Sequence, residues 1–296
     1  MCGIHIHIPV LAGEIIQYIR PSPGDIIVDA TMGTGGHSKR IMEYVQGQVT
    51  VIGIDKDEQA LSVAKERLKG FKRNIRFFHA DFKDFDAVMK AAEIKRIQGC
   101  VFDLGISSYQ MDDPERGFSY SEDGPLDMRM DRSTGLRAEQ VVNGYSRQEL
   151  IRIFKEYADE RNPGKVADAV IREREKETIG TTRKLAQIFK NASSTRKGTH
   201  CPEAPLFQAI RIEVNGELEA VTSGIEQSLS FLEPGARICA VSFHSGEDRI
   251  IKRIFKKYET EQTLSVLTSS PVTPSLRELR ENPRSRSAKM RAAERN

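Results

Sequence analysis

A glycine-rich loop after a short apolar run is the part of this sequence best suited to bind a small molecule. The run ends in Asp29, and the loop then brings Gly33, Gly35, Gly36 and His37 before a helical segment begins. Glycine adopts positive φ angles and lets a ligand approach the backbone, while the free N–H groups at a helix start attract a carboxylate or phosphate. This order of elements predicts a nucleotide-type cofactor site at the carboxyl end of the first strand of an α/β sheet.

Carboxylates at three predicted strand ends indicate which cofactor this is. Asp55, 22 residues after Gly33, can accept hydrogen bonds from a ribose diol, which NAD and S-adenosylmethionine both carry. A dinucleotide loop has glycine or alanine where this chain has Ser38. Asp29 suits a cationic amine better than a pyrophosphate, and Asp103 can contact the adenine or the transfer site. These residues favour S-adenosylmethionine over a dinucleotide, and a glycine turn that serves helix packing alone is the remaining alternative.

The composition is that of a globular protein, with 39% hydrophobic and 29% charged residues among 296. No apolar run approaches the roughly 20 residues of a membrane-spanning helix, and we see no secretory signal. The cysteines (Cys2, Cys100, Cys201 and Cys239) form no Cys-x-x-Cys pair, so we expect no disulfide framework and a cytoplasmic location. No cluster has metal-ligand spacing, so we predict no required metal. The segment 277–296 has seven basic and three acidic residues, which suits a polyanion or a solvated, partly helical end.

Strand-like and helical segments alternate over the first third of the chain and again near its end, which predicts a parallel sheet with helices on both faces. The predicted strands are 26–29, 49–55, 75–79, 99–104, 237–243 and an edge strand at 263–268, and the predicted helices among them are 38–44, 58–68, 86–92 and 247–258.

A polar, glycine-rich and proline-rich stretch at 112–133 interrupts this pattern and is followed by helical segments at 146–157, 165–176 and 182–191. Apolar residues at three- and four-residue steps then predict one long helix over 207–232, ended by Pro234 and Gly235. We therefore predict an α/β, Rossmann-like domain formed by residues 1–111 and 206–296, with an inserted, mainly helical domain at 112–205.

Several blocks resemble one family, the bacterial 16S rRNA (cytosine-N4)-methyltransferases, known as MraW or RsmH. Besides the Asp29–Ser38 loop, these blocks are His7-Ile8-Pro9-Val10-Leu11, Asp103-Leu104-Gly105-Ile106-Ser107-Ser108, Arg116-Gly117-Phe118-Ser119, Asp123-Gly124-Pro125-Leu126-Asp127-Met128-Arg129-Met130, Phe207-Gln208-Ala209-Ile210-Arg211-Ile212, Ser242-Phe243-His244-Ser245 and Asn282-Pro283-Arg284-Ser285-Arg286-Ser287. They occur in order from end to end of the chain.

The resemblance implies an S-adenosylmethionine-dependent methyltransferase that modifies the N4 amine of a cytidine in the decoding region of small-subunit rRNA, within the 30S subunit. It implies no membrane partner and leaves a homodimer open. The implied cofactor contacts are Gly33, Gly35, Gly36, His37, Asp55, Phe82, Asp103 and Gln110, of which Phe82 and Gln110 rest on the resemblance alone.

The chain departs from the family at three places: around Pro163, at Ala204-Pro205-Leu206, and at Gly246, where the family has leucine. The first two motivate an alternative, an RNA-binding ribosome-assembly factor of the same fold that has lost turnover. A nicotinamide-dependent oxidoreductase is a third interpretation.

Methyl transfer to an amine needs groups that orient the amine and help its proton depart. Asp103 and Ser107 lie where amino-methyltransferases carry such groups, whereas Ser108 fits ordinary loop capping. His244 is eligible as a base but more simply hydrogen-bonded. The candidate walls for the target base are Tyr109, Phe118, Tyr120 and Phe243. The candidate phosphate contacts are Arg129, Arg132, Arg137, Lys165, Arg183, Arg196, Lys197, Arg211 and the basic tail.

Overall fold

The computed structural model describes residues 8–133, 135–193 and 201–296. The chain divides into two compact units, one formed by the residues up to Ser107 and from Leu218 onward, the other by Ser108–Glu217. The domain boundaries predicted from sequence, at 111/112 and 205/206, differ from the observed divisions most at the second one. The reason is that the helix after residue 203 belongs to the second unit. His7, Arg196, Lys197 and Cys2, which the sequence analysis singled out, lie outside the described residues.

The strands are β1 Ile26–Asp29, β2 Thr50–Asp55, β3 Ile75–His79, β4 Ile97–Asp103, β5 Leu232–Ser242, β6 Leu264–Val266 and β7 Lys289–Arg295. The α-helices are α1 Ala12–Ile19, α2 Gly36–Tyr44, α3 Glu58–Arg67, α4 Phe85–Ala91, α5 Ser108–Met111, α6 Ala138–Gly144, α7 Arg147–Glu156, α8 Pro163–Arg174, α9 Thr182–Ala192, α10 Ala204–Asn215, α11 Glu217–Leu229, α12 Ser245–Thr260 and α13 Leu276–Glu281. Within the described ranges, no helix is both long enough and apolar enough to span a bilayer.

The first unit is built on one seven-stranded sheet in the order β3-β2-β1-β4-β5-β7-β6. The first five strands are parallel, so their carboxyl ends meet at one edge. β7 runs antiparallel between β5 and β6. The predicted strand at 263–268 is confirmed as an edge strand, since among the described strands β6 pairs with β7 alone.

Helices cover both faces of this sheet because its strands alternate buried apolar side chains between two cores. Val28 and Ile52 belong to the core that includes residues of α4, α11 and α12. Their neighbours Ile27 and Val51 belong to the core that includes residues of α1, α2 and α3. The predicted layer architecture is therefore confirmed.

Two predictions about the chain after residue 200 are wrong. The single helix over 207–232 is two helices, because Gly216 adopts a left-handed conformation at φ +59° and ends α10. Pro234 and Gly235 do not separate a helix from a strand but lie inside β5, where the register against β4 shifts. The predicted fifth strand thus begins earlier, at Leu232.

The basic tail is not simply a solvated end. Its last residues form β7, which is mostly buried, and Arg291 is only 6% exposed. The guanidinium of Arg291 donates two hydrogen bonds to the Asp248 carboxylate of α12, at 2.6 and 3.3 Å. Arg277, on α13, is exposed but also paired, with Glu281. Some of the basic residues that the sequence suggested for binding a polyanion therefore form ion pairs within the protein instead.

The second unit is a helical assembly. Its interior contains Phe154, Phe189 and Phe207, from α7, α9 and α10, whose rings meet edge to face with centroids 5.5 and 5.8 Å apart. Pro163 and Pro205, at the two departures from the family pattern, stand in the first turns of α8 and α10. Proline fits there because its fixed φ is helical and its missing N–H has no intrahelical acceptor.

The segment 116–130, which carries the most specific family block, is a tightly packed loop. A Cβ at Gly117 would lie 2.1 Å from the Pro125 carbonyl oxygen, and one at Gly124 would lie 2.0 Å from that of Pro114. The guanidinium of Arg116, 1% exposed, donates to the carbonyl oxygen of Met130 at 2.9 Å. Substitution at either glycine would therefore force the backbone apart, so this block has a structural reason for its composition.

Candidate active site

The glycine loop connects β1 to α2 at the carboxyl edge of the parallel strands. Gly33 and Gly35 adopt φ angles of +51° and +79°, which other residues rarely tolerate. A Cβ at Gly35 would lie 2.7 Å from Leu68 Cδ1, and one at Gly36 would lie 3.2 Å from Pro9 Cβ. The loop therefore needs glycine for its conformation and for close packing beneath it.

Asp55, at the end of β2, fixes this loop from the neighbouring strand. Its carboxylate accepts hydrogen bonds from the N–H groups of Gly33 and Asp57, at 2.6 and 2.8 Å. Burial raises the pKa of Asp55 to about 6, although the two N–H groups oppose this shift. Each carboxylate oxygen keeps further acceptor capacity, which a ribose diol could use.

A histidine pairs with an aspartate where β1 and β4 lie side by side. His37, in the first turn of α2, places Nε2 3.0 Å from Asp103 Oδ2 at the end of β4. The backbone N–H of Asp103 donates to Thr31 Oγ1 at 2.6 Å, which holds the strand end against the loop. Burial by itself lowers the pKa of His37, but the hydrogen bond and charge of Asp103, with the charges of Asp29 and Glu278, raise it overall.

Asp29, the last residue of β1, is the third ionisable residue of this cluster, with His37 and Asp103. It is fully buried, and Ser38 Oγ donates to its Oδ2 at 2.6 Å. Burial raises the pKa of Asp29 above its ordinary value, against the opposing influences of His37 and Ser38. The three strand-end carboxylates expected from sequence thus lie at one edge, but the pairing of His37 with Asp103 was not predicted.

Three buried polar atoms in this cluster have no hydrogen-bond partner among the described residues: Asp29 Oδ1, His37 Nδ1 and Asp103 Oδ1. Leaving such a group unpaired costs about 1–3 kcal/mol each, and more for a charged group. Asp29 Oδ1 can accept from an ammonium, and a protonated His37 Nδ1 can donate to a carboxylate, so these two atoms fit the amino-acid end of S-adenosylmethionine. Asp103 Oδ1 remains as a further acceptor.

The remaining predicted residues lie in more ordinary surroundings. Phe82 packs edge-on against Phe102 at 5.6 Å, and α11 approaches it so closely that a Cβ at Gly224 would lie 2.6 Å from its ring. Ser107 is the last residue of the first unit, partly buried. Gln110 is 5% exposed in α5 of the second unit. The contacts predicted for these three residues stay predictions.

His244 lies at the start of α12, where Glu247 caps the helix. The Glu247 carboxylate, 1% exposed, accepts from the N–H groups of Phe243 and His244 at 2.8 and 3.3 Å. The ring Nε2 of His244 lies 3.3 Å from the other oxygen of Glu247. The His244 backbone is thus part of a helix cap, whereas its ring Nε2 has no hydrogen-bond partner among the described residues, so both interpretations of the ring stay predictions.

Several residues of the predicted phosphate-binding pool are engaged in ion pairs. Arg129 and Arg211 donate to Asp127 and Glu217 at 2.8 Å, with little exposure of any of the four side chains. Lys165 is exposed on α8. The candidates for phosphate contact are therefore the exposed basic residues of the predicted set.

A mostly parallel α/β sheet with a glycine loop after β1 and acidic residues ending β1, β2 and β4 defines the class of Rossmann-like S-adenosylmethionine-dependent methyltransferases. Within that class, the chain belongs to the MraW methylase family, whose profile matches residues 4–296.

Relatives similar over nearly the whole chain are called ribosomal RNA small subunit methyltransferase H. That of Caldicellulosiruptor saccharolyticus is 45% identical, over 97% of this chain and 98% of its own. That of Persephonella marina is 44% identical, over 98% and 99%. Among solved structures, an rRNA methylase of Streptococcus thermophilus matches 96% of this chain and 93% of its own, with 12% identity and a TM-score of 0.44. The predicted family, fold class, enzyme class and cofactor are confirmed, and the oxidoreductase interpretation is wrong.

Proposed function

We propose that the protein transfers a methyl group from S-adenosylmethionine to the N4 amine of a cytidine in the decoding region of small-subunit rRNA, and that it acts on that RNA within the 30S subunit in the cytoplasm. The observation that carries the proposal is the set of unpartnered buried atoms of Asp29, His37 and Asp103 beside the glycine loop. The near-full-length likeness to rRNA small subunit methyltransferases H supports the RNA substrate.

The residues that would hold the cofactor come from neighbouring strand ends. Asp55 would accept from the ribose hydroxyls, while Asp29 and His37 would meet the ammonium and carboxylate of the methionine part. The backbone of Gly33, Gly35 and Gly36 would leave room for close approach. Bound there, S-adenosylmethionine supplies an electrophilic methyl group.

The exocyclic amine of cytosine is a weak nucleophile because its lone pair is delocalised into the ring. Holding it in line is therefore the main requirement, and removing its proton is the second. Asp103 suits both tasks. Its Oδ2 is fixed by His37 at 3.0 Å, which leaves Oδ1 to accept the N–H of the amine and then its proton. Ser107, four residues further on, is the second candidate to orient the amine.

We assign RNA recognition to the helical unit, which contains the predicted domain 112–205. A groove of about 650 Å³ there is lined by residues of α8, α9 and the preceding loops. Four of its lining residues are basic, and two of these, Arg183 and Lys184, also pair with acidic neighbours. Phosphate contacts from such residues make binding steeply salt-dependent. A homodimer stays a prediction, which light scattering of the purified protein would test.

The test incubates the protein with labelled S-adenosylmethionine and either 30S subunits or naked 16S rRNA, followed by mass analysis of the nucleosides. We expect N4-methylcytidine, with more from the subunit than from naked RNA. A labelled product other than N4-methylcytidine, or no product, would refute the proposed reaction.

Substitutions in the same assay separate chemistry from binding. Asp103→Ala and Ser107→Ala should each reduce kcat at saturating cofactor, by about 10²-fold or more for loss of the proton acceptor. Ser108→Ala is the matched control, a hydroxyl one residue away for which we expect little change. Calorimetric titration with S-adenosylhomocysteine measures the remaining cofactor affinity of each variant. Full turnover in the Asp103 and Ser107 variants would overturn the assignment.

A further inference from the structure

Helix α12 carries a basic face that has no role in the proposed cofactor binding or methyl transfer. Its apolar residues Ile251, Ile254 and Phe255 are buried against the sheet. Its outward positions carry five cations within nine residues: Arg249, Lys252, Arg253, Lys256 and Lys257. All five are exposed. We refer to these five residues as the α12 basic face.

Acidic neighbours balance only part of this charge. Lys256 pairs with Glu259 and Lys257 with Glu226, each at 2.9 Å. In the part of the chain that the structure describes, Arg249, Lys252 and Arg253 have neither an ion pair nor a side-chain hydrogen bond.

Like charges three and four residues apart on a helix repel one another and destabilise it. The three unbalanced cations, at positions 249, 252 and 253, stand at just this spacing. A bound polyanion would remove that repulsion.

The position of the helix relates this face to the reaction. α12 starts at Ser245, directly after the carboxyl end of β5, and β5 is parallel to β4, which ends in Asp103. The α12 basic face therefore begins about one helical turn, roughly 6 Å, from the edge of the sheet that carries the glycine loop. From Arg249 to Lys256 a helix rises about 10 Å, and a nucleic-acid strand carries one phosphate per about 3.4 Å of rise. The face is long enough to meet about three successive phosphates.

We propose that the α12 basic face is a second RNA contact, located on the cofactor-binding unit, that holds the backbone of the rRNA strand near the target nucleotide. This inference rests on the proposed function, because it takes small-subunit rRNA as the occupant. It assigns part of the RNA affinity to the methyltransferase unit rather than to the helical unit alone. The contact is with phosphates, so it adds affinity and register without reading sequence.

The test compares two double charge reversals in the full-length protein. Lys252→Glu/Arg253→Glu changes the α12 basic face. Lys72→Glu/Arg73→Glu is the matched control, two exposed cations of the same unit just before β3, at the opposite edge of the sheet. Calorimetric affinity for S-adenosylhomocysteine should be alike for both variants and the wild type, and neither variant should unfold at a lower temperature than the wild type.

Binding of 16S rRNA fragments and of 30S subunits is then measured across a series of salt concentrations. We expect the α12 variant to bind at least tenfold more weakly near physiological salt. The slope of log K against log salt should fall by about 1.4, because each single-strand phosphate that a cation neutralises adds about 0.7 to the slope. The control variant should keep the wild-type slope. An unchanged slope in the α12 variant, or an equal fall in the control, would overturn the inference.

A separate measurement of methylation by the wild type distinguishes failure of this inference from failure of the proposed function. If the wild type forms N4-methylcytidine while the α12 variant binds normally, the inference is wrong and the function stands. If the α12 variant alone loses affinity while the wild type leaves the cytidine unmodified, the RNA contact is supported and the proposed reaction is wrong. In the expected case, the α12 variant also shows a raised KM for subunits with little change in kcat.

Discussion

Asp55 should make the ligand-free protein less stable as the pH rises through the mildly acid range. Burial raises its pKa from 3.8 to about 6. At 1.36 kcal/mol per pH unit, this corresponds to about 3 kcal/mol of unfolding free energy. Because the folded-state pKa lies above the unfolded value, this contribution is fully present below pH 3.8 and is lost as the pH rises to about 6. About 2 of these 3 kcal/mol fall between pH 4.5 and 7.5.

The Asp55→Asn variant isolates this effect. Asparagine loses one of the two backbone hydrogen bonds from Gly33 and Asp57, but that loss does not depend on pH. Urea unfolding of wild type and variant should therefore show a difference that shifts by about 2 kcal/mol in favour of the variant from pH 4.5 to 7.5. Glu58→Gln, at an exposed carboxyl on α3, reports the pH dependence that follows from removing a surface charge. A difference that stays constant within about 0.5 kcal/mol would refute the reasoning.

The same ionisation links Asp55 to its cofactor. A ribose diol donates to the charged carboxylate, so cofactor affinity should rise as the pH increases toward about 6 and level off above it. Calorimetric titration of S-adenosylhomocysteine over this range would show it. The Asp55→Asn variant should bind S-adenosylhomocysteine more weakly, with an affinity that changes little with pH. The same pH dependence of affinity in the variant as in the wild type would contradict the assignment.

Three further substitutions test the site and its frame. Asp103→Asn removes a charge that raises the pKa of His37. The raised pKa stabilises the fold below about pH 6.5, and this stabilisation is lost as the pH rises through the pKa of His37 in the folded protein. Urea unfolding should therefore show that the variant falls further below the wild type in unfolding free energy at about pH 6 than at about pH 9. Arg291→Leu strips Asp248 of its bidentate partner and should cost about 3 kcal/mol in the same assay, whereas a loss below 1 kcal/mol would show the pair to be unimportant. Gly35→Ala, at φ +79°, should cost about 1–3 kcal/mol and weaken S-adenosylhomocysteine at least tenfold by calorimetry, and wild-type affinity would show that the loop tolerates a side chain.

The parts of the fold that sequence predicts well are those with a strong local signal. β1 to β4 are short apolar runs bounded by turns, and the predicted bounds of each lie within a few residues of the observed ones. Their order in the sheet brings the ends of β1 and β4 together, which is why the acidic residues after these runs are recognisable as a site.

What sequence misses depends on contacts between distant segments. β7 has alanines and charges rather than β-branched residues, and it is a strand because β5 and β6 pair with it on both sides. Its Arg291 is buried only because Asp248 compensates its charge. Gly216 is a glycine of the kind that ends helices, but the apolar period continues unbroken on both sides of it and hides this signal. His37 and Asp103 are 66 residues apart, so their pairing follows from strand adjacency.

The antiparallel insertion of β7 also sets the order in which the molecule can be completed during synthesis. Within the sheet that the structure describes, β6 pairs with β7 alone, so residues 264–266 have no place in it until residues 289–295 have been made. The helical unit, in contrast, is one continuous segment, Ser108–Glu217, whose internal contacts are all available before the second half of the sheet exists. The nascent chain therefore carries an unfinished sheet with an unpaired β5 edge while its helical unit can already fold. During that interval β5 is the strand edge most open to incorrect pairing, and β7 is the segment that closes it.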